Sequence, residues 1–227
     1  MWRRLKRWGE EHIWDSIWRA ALAQLERLGA LDWSIAFLDG SFVPAKNGGA
    51  GVGLTRKGKS TKWMLVVDGQ GLPLGVQLAS ANQAEVRSAA QSLDTFRVPR
   101  PRGRPKQRPA KLVADRGYDS AGFRQALRRR GIAMCIPAKR RPARWRAKRG
   151  RPVVARPEDY RRRYTVERSF ARLGAFRRLL IRWERHAPIY RAFFVFALGR
   201  VCLRRWCALA PHPVPHQAPA SRRSGDD

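Results

Sequence analysis

The chain is 227 residues long, carries 48 Lys and Arg against 17 Asp and Glu for a formal charge of +31, and is 44% hydrophobic. That length and hydrophobic share suit one sizeable domain with a real core and exclude disorder throughout. So large a positive charge repels itself unless a polyanion neutralises it, which makes nucleic acid the first expected partner and an anionic membrane surface the second.

The opening MWRRLKRWGEE lacks the apolar run of a signal peptide, and Cys135, Cys202 and Cys207 show no metal or redox spacing. A reducing cytoplasm is therefore expected, with the cysteines as small apolar residues. Residues 2–29 are helical in pattern, with Trp8, Trp14, Ile17, Trp18, Ala21 and Leu25 at three- and four-residue spacing. From Ser34 the period changes to that of strands: SIAFLDGSFVPA, KWMLVVD from Lys62 and LPLGVQLAS from Leu72, the last two joined by a GQG turn. A helix QAEVRSAAQSLDTF follows, then a short buried strand KLVAD. Next come a helix capped by Asp119 or Ser120, a strand IAMCIP, a helix from about Pro157 to Leu180 and the packing helix Ile189 to Leu209. That last helix is the most apolar, but Arg191, Arg200, Arg204 and Arg205 exclude it as a membrane span. The order predicts an α/β fold, a mixed sheet covered by helices on both faces.

Two Pro/Arg stretches interrupt this scaffold. Arg97 to Lys111 includes Arg102, Arg104 and Lys106, and Lys139 to Arg151 includes Arg140, Arg141, Arg144, Arg146 and Lys148; neither contains an acid. Proline at that density predicts exposed loops. Binding through such loops is salt-sensitive and largely blind to sequence, because it rests on phosphates. Trp145 reads either as a base-stacking residue or as the anchor of its loop. The tail from Pro211 reads as disordered.

Gly53 to Ser60, GLTRKGKS, matches the phosphate-loop pattern letter for letter. That loop needs a buried strand before it and a helix after it. Here NGGAGV precedes and the strand-like TKWMLVVD follows, so a basic turn between strands is the better reading.

Within Phe37 to Arg200 only ten acids occur, and most have local explanations at turns, caps or helix starts. Asp39 and Asp115 do not: each ends an apolar run and precedes a glycine within two residues. Two carboxylates at adjacent strand ends repel unless a cation lies between them, and hard divalent ions take such ligands. In YRRRYTVERSF, Arg163 and Glu167 stand four apart, a spacing that on a helix gives an ion pair.

LDGSFV around Asp39, VADRGYDS around Asp115 and YRRRYTVERSFARLGAFRRLLIRWER around Glu167 together resemble the Asp-Asp-Glu transposases of bacterial insertion sequences, closest to the IS-four and IS-five superfamily. The Tyr-x2-Arg-x3-Glu-x6-Lys signature fits as Tyr160, Arg163 and Glu167, with Gly174 where the lysine belongs and Arg172, Arg177 or Arg178 as candidate substitutes. The resemblance implies a ribonuclease H-like fold and two divalent ions, Mg²⁺ or Mn²⁺, held by Asp39, Asp115 and Glu167 as both metal ligands and catalytic residues. It further implies DNA contacts near Tyr160 and Arg163, strand hydrolysis and transfer without a covalent enzyme intermediate, and action as a homo-oligomer on DNA. The expected organisation is a helical arm over 1–32, a catalytic domain over 33–209 and a tail over 210–227. With so little ahead of Asp39, the chain resembles the downstream half of a two-frame transposase, whose upstream frame would supply a DNA-binding partner or fusion. A non-enzymatic remnant, a structure-selective nuclease and a nucleotide hydrolase remain as alternatives.

Overall fold

A computed structural model describes residues 2–100, 102–139 and 156–210. The N-terminal pattern forms two helices, α1 (Trp2–Glu10) and α2 (Ile13–Arg27), separated at His12, which takes the left-handed conformation at φ 54°. Such a backbone interrupts the ladder of a helix and lets α2 leave in a new direction. Both helices pack on the C-terminal helix α8 (Ala187–Leu209). Trp18, Leu22 and Leu25 of α2 lie in the same buried core as the sheet.

The sheet contains β1 (Ala36–Pro44), β2 (Gly53–Thr55), β3 (Gly58–Asp68), β4 (Pro73–Ser80), β5 (Lys111–Ala114) and β6 (Ala133–Cys135). Its order β4-β3-β1-β5-β6, antiparallel through β1 and parallel from β1 to β6, is the ribonuclease H-like arrangement that the three acid-bearing blocks imply. β2 is an addition, folded back on the start of β3 by a tight turn in which Thr55 faces Gly58. Gly58 has φ +98°, a conformation that glycine reaches without penalty. GLTRKGKS is thus a β-hairpin whose second strand continues as β3, with no helix to receive a phosphate, and the phosphate-loop reading fails.

Alternation along the strands divides the core into two layers. Ala36, Leu38, Met64, Val66, Leu112 and Ala114 meet α3 (Glu85–Asp94) and α4 (Ala121–Arg129) on one face. Phe37, Trp63, Leu65, Val67 and Val113 meet α2, α6 (Tyr164–Gly174) and α8 on the other. Trp63 is wedged edge-on between Phe170 of α6 and Phe194 of α8, with centroids 5.3 and 4.0 Å away. Of the two candidate caps, Ser120 serves α4: its Oγ accepts from the Phe123 N–H at 3.2 Å.

The predicted helix from Pro157 to Leu180 is three pieces, α5 (Pro157–Arg161), α6 and α7 (Arg177–Leu180). The first break tightens into i to i+3 bonds, Arg163 N–H to Tyr160 and Thr165 N–H to Arg162. The second follows Gly174, where Phe176 becomes extended. Ser169 fixes α6 to the β3–β4 turn by donating to the Gly71 carbonyl at 2.8 Å. Arg182, almost fully buried, holds the Gly-rich loop before β2 by donating to the Ala50 carbonyl and to Thr61 Oγ1 at 2.7 and 2.6 Å.

Candidate active site

β1 and β5 run side by side with Leu38 opposite Ala114. The next residue on each is an acid, Asp39 within β1 and Asp115 just beyond β5. Phe37 and Val113 face the α6 layer, so by strand alternation Asp39 and Asp115 face it too. Local sequence explains the placement: AFL and LVA are strand residues buried on both faces, and after Asp115 the chain turns through a 3₁₀ segment, Arg116–Tyr118. Tyr118 packs beneath Gly40 and its hydroxyl lies 3.5 Å from Asp39 Oδ1.

Glu167 stands in the first turns of α6, one turn after Arg163. The Arg163 guanidinium donates to Asp39 Oδ2 at 2.6 Å and to Glu167 Oε1 at 2.7 Å. The i, i+4 pair is therefore present, and the same arginine reaches across to the strand-end acid. Burial raises Asp39 above the usual carboxylate range; the Gly40 N–H and Arg163 oppose that rise, and the charge of Asp115 adds to it. Burial also works against the charge on Arg163, but Asp39 and Glu167 outweigh it, so the guanidinium holds its proton more firmly than usual.

The family profile of the transposase DDE domain matches residues 32–200. The chain belongs to the transposase DDE-domain family. It is 40% identical over 143 residues to the Burkholderia cepacia protein named "Putative transposase for insertion sequence element IS402". That match takes in 63% of this chain and 62% of the relative, so the chain spans under two thirds of the curated relative's length. Among solved structures, the simian T-cell lymphotropic virus intasome in complex with PP2A regulatory subunit B56 gamma aligns with a TM-score of 0.46 at 16% identity. It covers 83% of this chain and 59% of that one. The Mos1 mariner paired-end complex with Mn aligns at 0.37 and 13%, covering 90% and 60%. The catalytic domain of Mos1 mariner transposase aligns at 0.34 and 12%, covering 90% and 94%. DDE-domain transposases generally use divalent metal ions.

The Arg163 guanidinium bonds to Asp39 and Glu167 and feels the charge of Asp115. Among the described residues no three acidic, histidine or cysteine side chains are close enough to hold a metal ion. Asp39 and Glu167 are instead linked through the Arg163 guanidinium. Asp39 and Asp115 by themselves are a pair of hard oxygen donors on neighbouring strands.

Tyr160 is half-buried against the core within α5, three residues before Arg163, whose N–H its carbonyl accepts at 3.0 Å. Arg102 and Arg104 are exposed. Lys106 is not a free cation: its ammonium lies 3.7 Å from Glu26 and 4.3 Å from the Trp33 ring centroid, which ties the first Pro/Arg loop to α2. That loop enters β5 at Lys111, the opposite end of the strand from Asp115. Arg140, Arg141, Arg144, Trp145, Arg146 and Lys148 lie outside the described residues, as does the tail from Pro211. Gly174 ends α6, and a Cβ there would meet only Leu180, at 3.7 Å.

Two side chains near the site carried no signal in the sequence. Lys62, within the β3 pattern, is buried; its ammonium donates to the Gln83 carbonyl at 2.7 Å and lies 3.7 Å from Glu85. Tyr118 has its proton affinity raised by burial first and then by the charges of Asp39 and Glu85, which places it among these acids. Among the described residues, no helix is long and apolar enough to cross a membrane.

Proposed function

We propose that this chain is the catalytic domain of an insertion-sequence transposase that cuts DNA strands and joins them to new sites, with Asp39, Asp115 and Glu167 as its metal-holding residues. The observation that carries this reading is the placement of two acids at neighbouring ends of parallel central strands, facing the helix that bears the third. Two Mg²⁺ or Mn²⁺ ions are the cofactor this donor set suits, and bound there they would supply activation of the attacking oxygen and charge stabilisation of the leaving one.

The chain's own residues do the rest. The sheet holds Asp39 and Asp115 rigidly, because both follow strand residues with no exposed surface. Asp39 and Asp115 would hold an ion between them, and Glu167 would complete the set when Arg163 releases it. Arg163, freed from Asp39 and Glu167, is placed to donate its planar fork to the phosphate next to the scissile bond. Tyr118 restrains Asp39 from the opposite layer. The remaining arginines neutralise backbone phosphates without reading bases. Action as a homo-oligomer on paired ends, and a DNA-binding partner or fusion from an upstream frame, belong to the same reading.

The non-enzymatic remnant remains as the second reading because Arg163 ties Asp39 to Glu167. Strand cleavage separates the two. With Mn²⁺ or Mg²⁺ and labelled duplexes carrying the element's terminal repeats, the purified chain should nick DNA. Asp39→Asn, Asp115→Asn and Glu167→Gln should each abolish nicking while duplex binding persists. Nicking that survives all three substitutions overturns the site assignment, and no nicking by the unaltered chain, either alone or joined to an upstream-frame DNA-binding region, supports the remnant.

A further inference from the structure

A cleft of about 860 Å³ lies away from the carboxylates, between the end of α6 and the second half of α8. It is lined by Arg172 from α6, by Arg200, Arg204 and Arg205 from α8, and by Gln70 of the β3–β4 turn. All four arginines are exposed. Among the described residues none of them pairs with a carboxylate, and only Arg205 has a side-chain partner, the Gln70 amide oxygen at 3.0 Å.

Arg200 and Arg204 stand one turn apart on the same face of α8, an arrangement that destabilises an isolated helix by repulsion. Arg172 adds a third positive charge from the opposite wall. A bound polyanion would turn that repulsion into attraction, and the guanidinium fork matches phosphate oxygens. The cleft is separate from the acids: Arg172 lies five residues past Glu167, about 140° round the helix at 3.6 residues per turn. One face of α6 presents Glu167 and the other presents the arginine wall.

We propose that the α6–α8 cleft is a second nucleic-acid site, which takes the phosphate backbone of a duplex arm other than the strand held at the carboxylates. This rests on the transposase reading for the identity of the polyanion. It makes α6 a divider between two segments of DNA, one at the acids and one at the arginines. A cleft lined this way grips by charge and gives no base readout.

The test is binding of a non-specific duplex, followed by fluorescence anisotropy in EDTA across a salt series, so that cleavage plays no part. The triple variant Arg172→Gln, Arg200→Gln, Arg204→Gln should weaken binding at least tenfold and flatten the salt slope by about 2 to 3, at roughly 0.9 for each phosphate no longer neutralised. A control triple, Arg3→Gln, Arg128→Gln, Arg129→Gln, removes the same charge from exposed positions elsewhere and should leave most of the slope. Equal effects from both triples, or an unchanged slope in the cleft triple, overturn the proposal. Displacement of DNA from the cleft only by an acidic peptide, and not by competitor duplex, overturns it in favour of a protein partner. Failure of the carboxylate variants to abolish nicking bears on the catalytic reading and leaves this binding result standing.

Discussion

Arg163→Ala removes the one side chain that joins two acids of the candidate site. Its bond to Asp39 is mostly sheltered, with 24% and 21% of the two side chains exposed, whereas Glu167 is 55% exposed. A hydrogen bond to a charged group is worth about 1.5 to 3 kcal/mol when sheltered. The Glu167 half is discounted for solvent screening to about 0 to 1 kcal/mol. The expected loss in urea denaturation with EDTA is therefore roughly 1.5 to 4 kcal/mol, increased by the repulsion left between Asp39 and Asp115. Added Mg²⁺ should recover part of the loss, since a divalent ion can take over the neutralising role. Arg163→Lys should fall between, because an ammonium keeps the charge but lacks the fork that reaches both acids. Full stability of Arg163→Ala in EDTA would refute the bridging role, and an identical deficit with and without Mg²⁺ would refute the idea that the guanidinium stands where a cation belongs.

Trp63→Ala should cost about 3 to 5 kcal/mol, as expected for truncating a buried aromatic, measured by the same denaturation; a loss below about 1 kcal/mol would show that α6 and α8 do not close on it. Asp15, pushed up by burial but held below its ordinary range by two 2.6 Å bonds from Arg191, should lose about 1 to 3 kcal/mol on Asp15→Ala, checked by thermal and urea unfolding. Asp68 is raised to about 6 by burial, in spite of N–H groups donated by Leu72, Asp32 and Gln70. Its folded pKa lies above the unfolded value of 3.8, so the stability it contributes is fully present below about pH 4 and lost as pH rises through 6. Wild type compared with Asp68→Asn across that window should show the decline, and a flat difference would contradict it. Lys59→Ala should leave DNA nicking unchanged, because Lys59 lies in a β-hairpin; loss of activity would revive the phosphate-loop reading.

The fold was legible wherever period and punctuation agreed. AFL before Asp39 and KLVA before Asp115 are apolar runs ended by acids near glycine, and both are central strands. β2 escaped because three residues of a Gly-rich basic hairpin carry no alternation. The single helix expected from Pro157 breaks at Arg162 and Arg163, where no proline or glycine announces it; the break follows tertiary contacts of Arg162 with Gly69 and Arg163 with Asp39. Of the site, Asp39 and Asp115 could be singled out from their surroundings, Glu167 only through the family resemblance, and the Arg163–Glu167 pair from spacing alone. The bond from Arg163 to Asp39 spans 124 positions and has no local signal. The arginines of α8 reduced its appeal as a membrane span, but nothing in their order showed that Arg172 would face them across a cleft.

If Asp39, Asp115 and Glu167 form one metal-holding site, Mn²⁺ titration of the DNA-free chain followed by electron paramagnetic resonance will register it. Binding should be saturable, abolished by Asp39→Asn and by Asp115→Asn, weakened by Glu167→Gln and strengthened by Arg163→Ala. Mn²⁺ binding unchanged in the Asp39 and Asp115 variants would contradict a shared site.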